Sequence, residues 1–395
     1  MMLTRQFSAR TALNLLLLGI FVSALGTGLS SIGFSLLAAQ AGQSYLMAAV
    51  LAAHLVPGVV LGLLGGHLAD KHLKWWWWPA SLVINACIMA TVALTLHWGI
   101  IIAGCALMSS CTALVGPVAQ KLVAHYSLDA AKTGAHLATV QGLAGVVGVA
   151  LGGVGFGAGI IQWMLAADAL AMLLFAGLGA LVATPGVIVL DDASDKTSWT
   201  TGVRLLYSPG VFGLLGFALI ITTVTSTSLD DVSGVFALTY FLGLTPQEFG
   251  VTSAAWGAGV ICGGWMGRFI GDHPVAQHPL TALPIGIALG SVGLFQPSFA
   301  VIILLFWAGG AGNGMFNAVI NRVIIGSVSQ EFQGRAWAGF RWVVYVCLLA
   351  GYAIAAFAGQ ELALQLMAVA GISVTVCSCL NLIVQRRVRR KKYKI

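Results

Sequence analysis

Charge is what this sequence has least of. Of 395 residues only 19 are Lys or Arg and 12 are Asp or Glu, 8% together, where a soluble domain carries about 25%. With 59% hydrophobic residues and a mean hydropathy of +0.95, that scarcity excludes an ordinary water-soluble domain. It also makes a nucleic-acid partner a poor account of the formal charge of +7. Cysteine is sparse as well. All seven (Cys87, Cys105, Cys111, Cys262, Cys347, Cys377, Cys379) fall inside apolar runs, without metal spacing or pairs in loops, and read as packing residues. H-E-x-x-H, G-x-S-x-G and C-x-x-C are all missing, which removes the usual signatures of a membrane-embedded enzyme. No secretory signal peptide is expected, because the first apolar run continues past Gly19 to Leu37 without a small-residue cleavage pattern.

What is there is a series of apolar runs near the ~20 residues a helix needs to cross a bilayer. They predict twelve spans: 11–37, 44–66, 75–96, 99–122, 133–156, 160–184, 208–241, 247–270, 279–296, 299–324, 335–358 and 361–385. The seventh is too long for one straight span, and Thr222–Gly234 within it is rich in Ser, Thr and Asp. That predicts a tilted or locally unwound helix, permissible where backbone lines a cavity rather than lipid. The only sizeable polar interruption, about Pro185–Tyr207, divides the spans six and six, with a short amphipathic helix expected at Trp199–Tyr207. The expected organisation is residues 1–185 as an N-terminal six-helix bundle, 186–207 as a cytoplasmic linker, 208–385 as a C-terminal bundle and 386–395 as a basic cytoplasmic tail.

Lys and Arg are distributed on one side only. If the N-terminus is inside, the inner loops carry Lys71, Lys74, Lys121, Lys132, Lys196, Arg204, Arg268 and Arg335, and the tail adds a cluster from Arg386 to Lys394. The opposite loops carry no Lys or Arg, only Glu248 and Glu361 near their edges. The positive-inside rule then predicts a multi-pass membrane protein with both termini cytoplasmic, its tail a solvated anchor beside anionic lipid, and the membrane expected is a plasma (bacterial inner) membrane.

The stretch Gly62-Leu63-Leu64-Gly65-Gly66-His67-Leu68-Ala69-Asp70-Lys71-His72-Leu73-Lys74, between the second and third spans, resembles the signature loop of the major facilitator superfamily of transporters. Gly66, Leu68, Asp70, Lys71 and Lys74 match, and Leu73 stands where the family has glycine. Gly264-Trp265-Met266-Gly267-Arg268 ends the eighth span much as Gly66–Asp70 ends the second, about half the chain apart, as two halves related by an axis along the membrane normal would require. Gly145–Gly153 on the fifth span resembles the glycine-rich motif of antiporter members, with Val149 in place of the family's proline. Gly145, Gly148, Gly152 and Gly153 would form a flat groove for a neighbouring helix, on either the exporter reading or that of simple close packing. Gly309–Gly314 followed by Glu331–Arg335 is similar to a segment of efflux members, macrolide-efflux and enterobactin-export relatives among them. The resemblance implies an all-α integral membrane fold of twelve helices, in two pseudo-symmetric six-helix bundles around a central cavity, working by alternating access. It also implies a conformational gate at Gly66, Asp70, Lys71, Lys74 and Arg335.

Ionisable groups inside spans are costly, about 2.5–3.5 kcal/mol on insertion scales, and normally face protein or water. Asp230 and Asp231 are adjacent, so on a helix they point about 100° apart, and two close carboxylates resist being ionised together, leaving one to carry a proton. Asp168 either pairs with a basic group or hydrogen-bonds locally, and His54 is either a proton carrier or a packing residue. These four are the proton-coupling candidates. Arg341, two turns into the eleventh span, needs a carboxylate partner or an anionic substrate, while Arg322 has the alternative of snorkelling to the interface. Trp256 and Trp342 can stack on a substrate or serve as core and interface anchors; with Asn317 and the aspartate pair they complete the substrate-binding candidates. The fourth span has no arginine and the first no acid, positions where related drug–proton antiporters often have them, so coupling must rest elsewhere.

The sequence therefore predicts a non-enzymatic secondary active transporter that exports a small organic solute, drug or metabolite, by proton exchange. The alternative is an exporter of an anionic carboxylate siderophore or similar metabolite met by cavity arginines, and the distant alternatives are a non-transporting receptor and a membrane-embedded enzyme. A monomer without cofactor or metal is expected, in contact with lipid, protons and a small-molecule substrate and with no nucleic acid.

Overall fold

A long apolar run in a bilayer has only its own backbone to satisfy its N–H and C=O groups, which leaves the helix as its stable form. The computed structural model describes residues 8–71, 75–127, 129–182, 199–209, 211–271 and 274–392. Among these the first six long helices are α1 (Ala9–Ala41), α2 (Ser44–Lys71), α3 (Trp77–Thr95), α4 (Trp98–Tyr126), α5 (Ala130–Gly157) and α6 (Ile161–Val182). A short helix follows, α7 (Trp199–Leu206), then α8 (Gly213–Phe236), α9 (Pro246–Met266), α10 (Pro274–Phe295), α11 (Phe299–Ser327), α12 (Gln330–Ala358) and α13 (Ala363–Lys392). Eleven of the described helices are long and apolar enough to cross a membrane. The remaining long one, α9, is diluted by its glycines and polar first turns. Its start is fixed by a capping box, in which the Thr245 amide donates to Glu248 Oε2 at 2.8 Å and the Glu248 amide donates to Thr245 Oγ1 at 3.3 Å. The all-helical, twelve-span architecture expected from the sequence is the one observed.

Of the two forms expected for Thr222–Gly234, a tilted or a locally unwound helix, the unwound one does not occur. That stretch is regular α-helix, and its hydroxyls are accommodated by bonding back along it: Thr227 to the Thr223 carbonyl at 3.1 Å and Ser233 to the Leu229 carbonyl at 2.6 Å. The irregularity lies just beyond, in a π-helical turn at Ala237–Phe241. Residues 183–198, most of the expected linker, lie outside the described residues.

The chain divides into two compact units, Met1–Phe34 with Ala49–Ser194, and Ser35–Ala48 with Asp195–Ile395. In the first, Ala12 and Leu16 of α1, Trp78 of α3, Val115 and Val118 of α4 and Phe175 of α6 form a buried core. Trp78 meets Phe175 edge to face, ring centroids 5.0 Å apart, while Trp76 and Trp77 stack on each other with their faces exposed, as expected of an interfacial belt. α5 crosses α1 where Gly148 lies on the Leu25 carbonyl and on Gly28, and Gly152 meets Leu29 and Ile32.

In the second unit α11 is held between α9 and α10. Gly310 and Gly314 lie on the backbone carbonyls of Trp256 and Val260, and Gly263 of α9 lies on that of Ala311. Gly290 and Gly371 bring α10 and α13 together in the same way. α7 sits against α12, with Gly202 on the Arg335 carbonyl and Gly339. Small residues at crossings of this kind let helices approach where burial of apolar surface offers no net drive.

Candidate functional site

Among the described residues three carboxylates lie well inside membrane-length helices, away from their ends: Asp168, Asp230 and Asp231. Asp168 of α6 is only 1% exposed. Its Oδ2 accepts from the Ser30 hydroxyl of α1 at 2.6 Å, and its Oδ1 has no hydrogen-bond partner. Gly26, one turn before Ser30, leaves the room the carboxylate occupies, since a Cβ there would stand 2.5 Å from Oδ1. The expectation for Asp168 is a basic group or a local hydrogen bond; its partner is instead a serine of another helix, α1.

On α8 the aspartate pair diverges as helical geometry requires. Asp230 folds over Gly234, four residues on, and its Oδ1 is buried without a partner. Asp231 is exposed on another face and accepts from the Tyr352 hydroxyl of α12 at 3.3 Å. One turn earlier Ser228 is fully buried over Gly351, its hydroxyl shared between the Thr225 carbonyl of its own helix at 2.8 Å and the Cys347 carbonyl at 3.3 Å, and this close approach of α8 to α12 lies one turn from the Tyr352–Asp231 contact.

The arginines behave differently from each other. Arg322 of α11 donates to the Ile270 carbonyl at the end of α9. Arg341 is exposed on α12, and no hydrogen bond or ion pair holds it among the described residues. Asn317 is exposed and bonds Asn313 on its own helix at 3.1 Å. Trp256 packs on Gly309 and edge-on to Phe306, centroids 5.8 Å apart; Trp342 is 37% exposed. Of the gate residues, Arg335 lies over the Phe332 ring at 5.1 Å. The side chains of Gly66, Asp70 and Lys71 and the whole of Lys74 lie outside the described residues. Gly145 has open space where Gly148 has α1, and Gly153 is buried.

The first unit also holds a partly open pocket of about 660 Å³, within the range of small-molecule sites. Leu16, Ile20, Ser23 and Thr27 of α1 form one wall, and Trp78, Ser81 and Asn85 of α3 another. α4 contributes Met108, Ser109, Thr112 and Gln120, α5 contributes Gln141, and His54 of α2 joins them. Among the described residues no Asp, Glu, Lys or Arg lines it. His54 Nδ1 is 3.1 Å from the Val50 carbonyl and the His54 carbonyl accepts from Ser109 at 2.5 Å. Among the described residues no group of three His, Cys, Asp or Glu side chains is placed to hold a metal ion.

The sequence reading passed over Ser30, Asn85 and Tyr352. Polar groups within apolar runs were the available signal, yet which of them would meet a carboxylate or a cavity depends on helix pairing. It also passed over His278, 1% exposed and stacked on Phe316 at 4.5 Å.

Comparison with known proteins places this architecture. No curated protein sequence matches the chain at a significant level. Among solved structures it is similar to the nucleoside transporter NupG (TM-score 0.71, 12% identity, 94% of this chain and 98% of that one). It is also similar to a bacterial homologue of the human lysosomal transporter Spinster (TM-score 0.70, 12% identity, 96% and 98%). A third likeness is to a POT family transporter in complex with 5-aminolevulinic acid (TM-score 0.71, 10% identity, 95% and 96%). At such identities the likeness is one of fold. The model of the family described as Major Facilitator Superfamily matches residues 16–341, and with most of its length so matched the chain belongs to the Major Facilitator Superfamily.

Proposed function

We propose that this protein is a secondary active transporter that exports a small organic solute, drug or metabolite, by exchange for protons. The observation that carries the coupling is the set of carboxylates inside the spans: Asp168 and Asp230 each keep one oxygen without a hydrogen-bond partner, and Asp231 is met by a tyrosine hydroxyl. A carboxylate in a membrane interior needs a neutralising charge. With no cation beside it among the described residues, the charge is supplied by a proton, and a site that takes and releases one as the protein changes state is a coupling site. The outward direction is supported by the glycine groove of α5, whose Gly148 and Gly152 seat α1 where antiporter relatives carry their motif, and the gate is assigned to Gly66, Asp70, Lys71, Lys74 and Arg335 by the same resemblance. The protein is assigned to the bacterial inner membrane with both termini cytoplasmic.

Reconstituted vesicles test the coupling. Asp230→Asn or Asp231→Asn is expected to abolish solute movement driven by a pH gradient while exchange down a solute gradient continues. Full pH-driven transport in both variants and in the double variant would exclude the pair. An anionic metabolite is the second reading, favoured by the exposed, unheld guanidinium of Arg341. A carboxylate is bound bidentately by guanidinium but not by ammonium, so on that reading Arg341→Lys loses carboxylate binding and retains its fold.

A further inference from the structure

The pocket of the first unit stops one turn short of a buried acid. Thr27 of α1 and Met172 of α6 line it, while Ser30 and Asp168, one turn further along the same two helices, do not. We infer that the contact between α1 and α6 is a proton gate: closed, it encloses Asp168 as the neutral acid, and its opening joins the carboxyl to the pocket so that the proton leaves. This gives the coupling reading above its moving part and rests on it.

The contact is a matched seam. Gly19, Gly26 and Gly33 of α1 stand against Phe175, Asp168 and Ile161 of α6, seven residues apart on each helix and in antiparallel order. Such a repeat keeps one stripe of a helix on its neighbour, and glycine gives the α1 stripe no side chains to interlock. Asp168 closes the middle of it. It is 1% exposed and turns Oδ1, buried and without a hydrogen-bond partner, onto Gly26. The hydroxyl of Ser30 is 2.6 Å from Oδ2 and 3.2 Å from both the Gly26 and the Thr27 carbonyls. Its single hydrogen cannot serve three acceptors well. A proton on Asp168 completes the count, with Oδ2–H donating to Ser30 and Ser30 donating to a carbonyl of its own helix. The ionised form would keep one hydroxyl as donor and no water, a state that desolvation disfavours. Among the described residues of the helices packed here, the titratable groups lie away from it: Arg10 in the first turn of α1, Cys87 on α3, and Asp129, Lys132 and His136 at the start of α5. A small separation of α1 from α6 admits water past Thr27 and Met172. Asp168 then passes its proton to that water and remains as a carboxylate held by Ser30 and solvent.

A disulfide across the seam reads its position. In full-length protein in lipid nanodiscs, with the seven native cysteines replaced, Gly33→Cys is combined with Ile161→Cys, since a Cβ at Gly33 would lie 3.7 Å from the Ile161 side chain. The rate of copper-catalysed disulfide formation is measured from mildly acidic to mildly alkaline medium, with Asp168 and with Asp168→Asn, whose amide stays uncharged. Dividing the two rates cancels the pH dependence of the thiols. The rates are expected to match in acid, and the Asp168 rate to fall at least about tenfold below the other in alkali, because proton loss opens the seam. A ratio that holds steady across the range overturns the proposal. A second measurement needs no cysteine replacement. In mildly acidic medium, the infrared carbonyl band of a protonated carboxyl, identified by its loss in Asp168→Asn, is followed after transfer into deuterium oxide. Gly26→Ala, whose Cβ would stand 2.5 Å from Oδ1, forces the seam apart and is expected to speed the deuterium shift of that band about tenfold. An unchanged rate, or no such band, overturns the proposal as well. Neither measurement uses a pH gradient or a solute, so failure here leaves the exchange reading to its own test, and failure of pH-driven transport leaves the seam standing.

Discussion

At the scale of single residues, the contrast between Asp168 and Asp231 shows how a carboxylate is kept inside a span. Asp168 is enclosed and depends on one hydroxyl, that of Ser30 at 2.6 Å, whereas Asp231 is exposed and has its tyrosine at a longer 3.3 Å. Removing one partner of a buried pair leaves the other unsatisfied, at about 1–3 kcal/mol. Ser30→Ala is therefore expected to lower the thermal stability of the detergent-solubilised protein by that order. Thr27→Ala is expected to be neutral within about 0.5 kcal/mol, since Thr27 bonds only the Ser23 carbonyl of its own helix. Equal melting curves for the two variants would show that Ser30 does not hold Asp168. That Asp168 was embedded could be read from its place in the sixth apolar run. That its partner is Ser30, 138 residues away, could not, because serine is common in such runs and only the pairing of α1 with α6 selects this one.

At the scale of helices, the second unit shows what the sequence resolves and what it leaves open. Span lengths were legible because the thickness of a bilayer and the needs of the backbone act locally on each run. Crossings were less so. The glycines at 309–314 were visible as a cluster, but their division of labour follows from three-dimensional packing: Gly310 and Gly314 serve α9, and Gly312 serves α10 through the Thr281 carbonyl and Pro284. The polar stretch of α8 misled for a related reason. Serine and threonine look helix-breaking in sequence, yet in a dry environment their hydroxyls return to the carbonyls one turn back and the helix continues. Gly263 and Gly264 give a direct test of crossing geometry. They are neighbours on α9, but a Cβ at Gly263 would enter the Ala311 carbonyl while one at Gly264 meets nothing within 4 Å. Gly263→Ala is expected to separate α9 from α11 and destabilise by about 1–3 kcal/mol, as overpacking does, with Gly264→Ala near neutral. Melting temperatures of the two purified variants decide it, and a neutral Gly263→Ala would mean that the crossing relaxes without cost.

At the scale of the whole molecule, the sparse charge sets the topology as well as the class. Carrying one elementary charge across a membrane against a 100 mV potential costs about 2.3 kcal/mol, so a chain with few basic residues can fix its orientation by placing nearly all of them in one set of loops. Lys71, Lys132, Arg268 and Arg335 lie in or beside alternate connections along the chain, at the end of α2, the start of α5, the end of α9 and the start of α12. No Lys or Arg occurs in the intervening connections at 158–160, 242–245 and 359–362. The bias needs no tertiary information, so an orientation can be proposed from sequence alone, while the pocket around Asn85 could not be. Ala158 lies exposed in the connection from α5 to α6, and Ser329 lies exposed at the start of α12, where its side chain makes no capping bond. In intact bacterial cells a membrane-impermeant maleimide is expected to label Ala158→Cys, and to label Ser329→Cys only after the membrane is permeabilised, with the seven native cysteines replaced by serine or alanine beforehand. The reverse pattern would place the basic loops outside. It would then also reverse the face from which the proton reaches Asp230 and Asp231, but an exchanger driven by an inward proton gradient would still move its solute outward, so the direction of transport rests on the coupling rather than on the orientation.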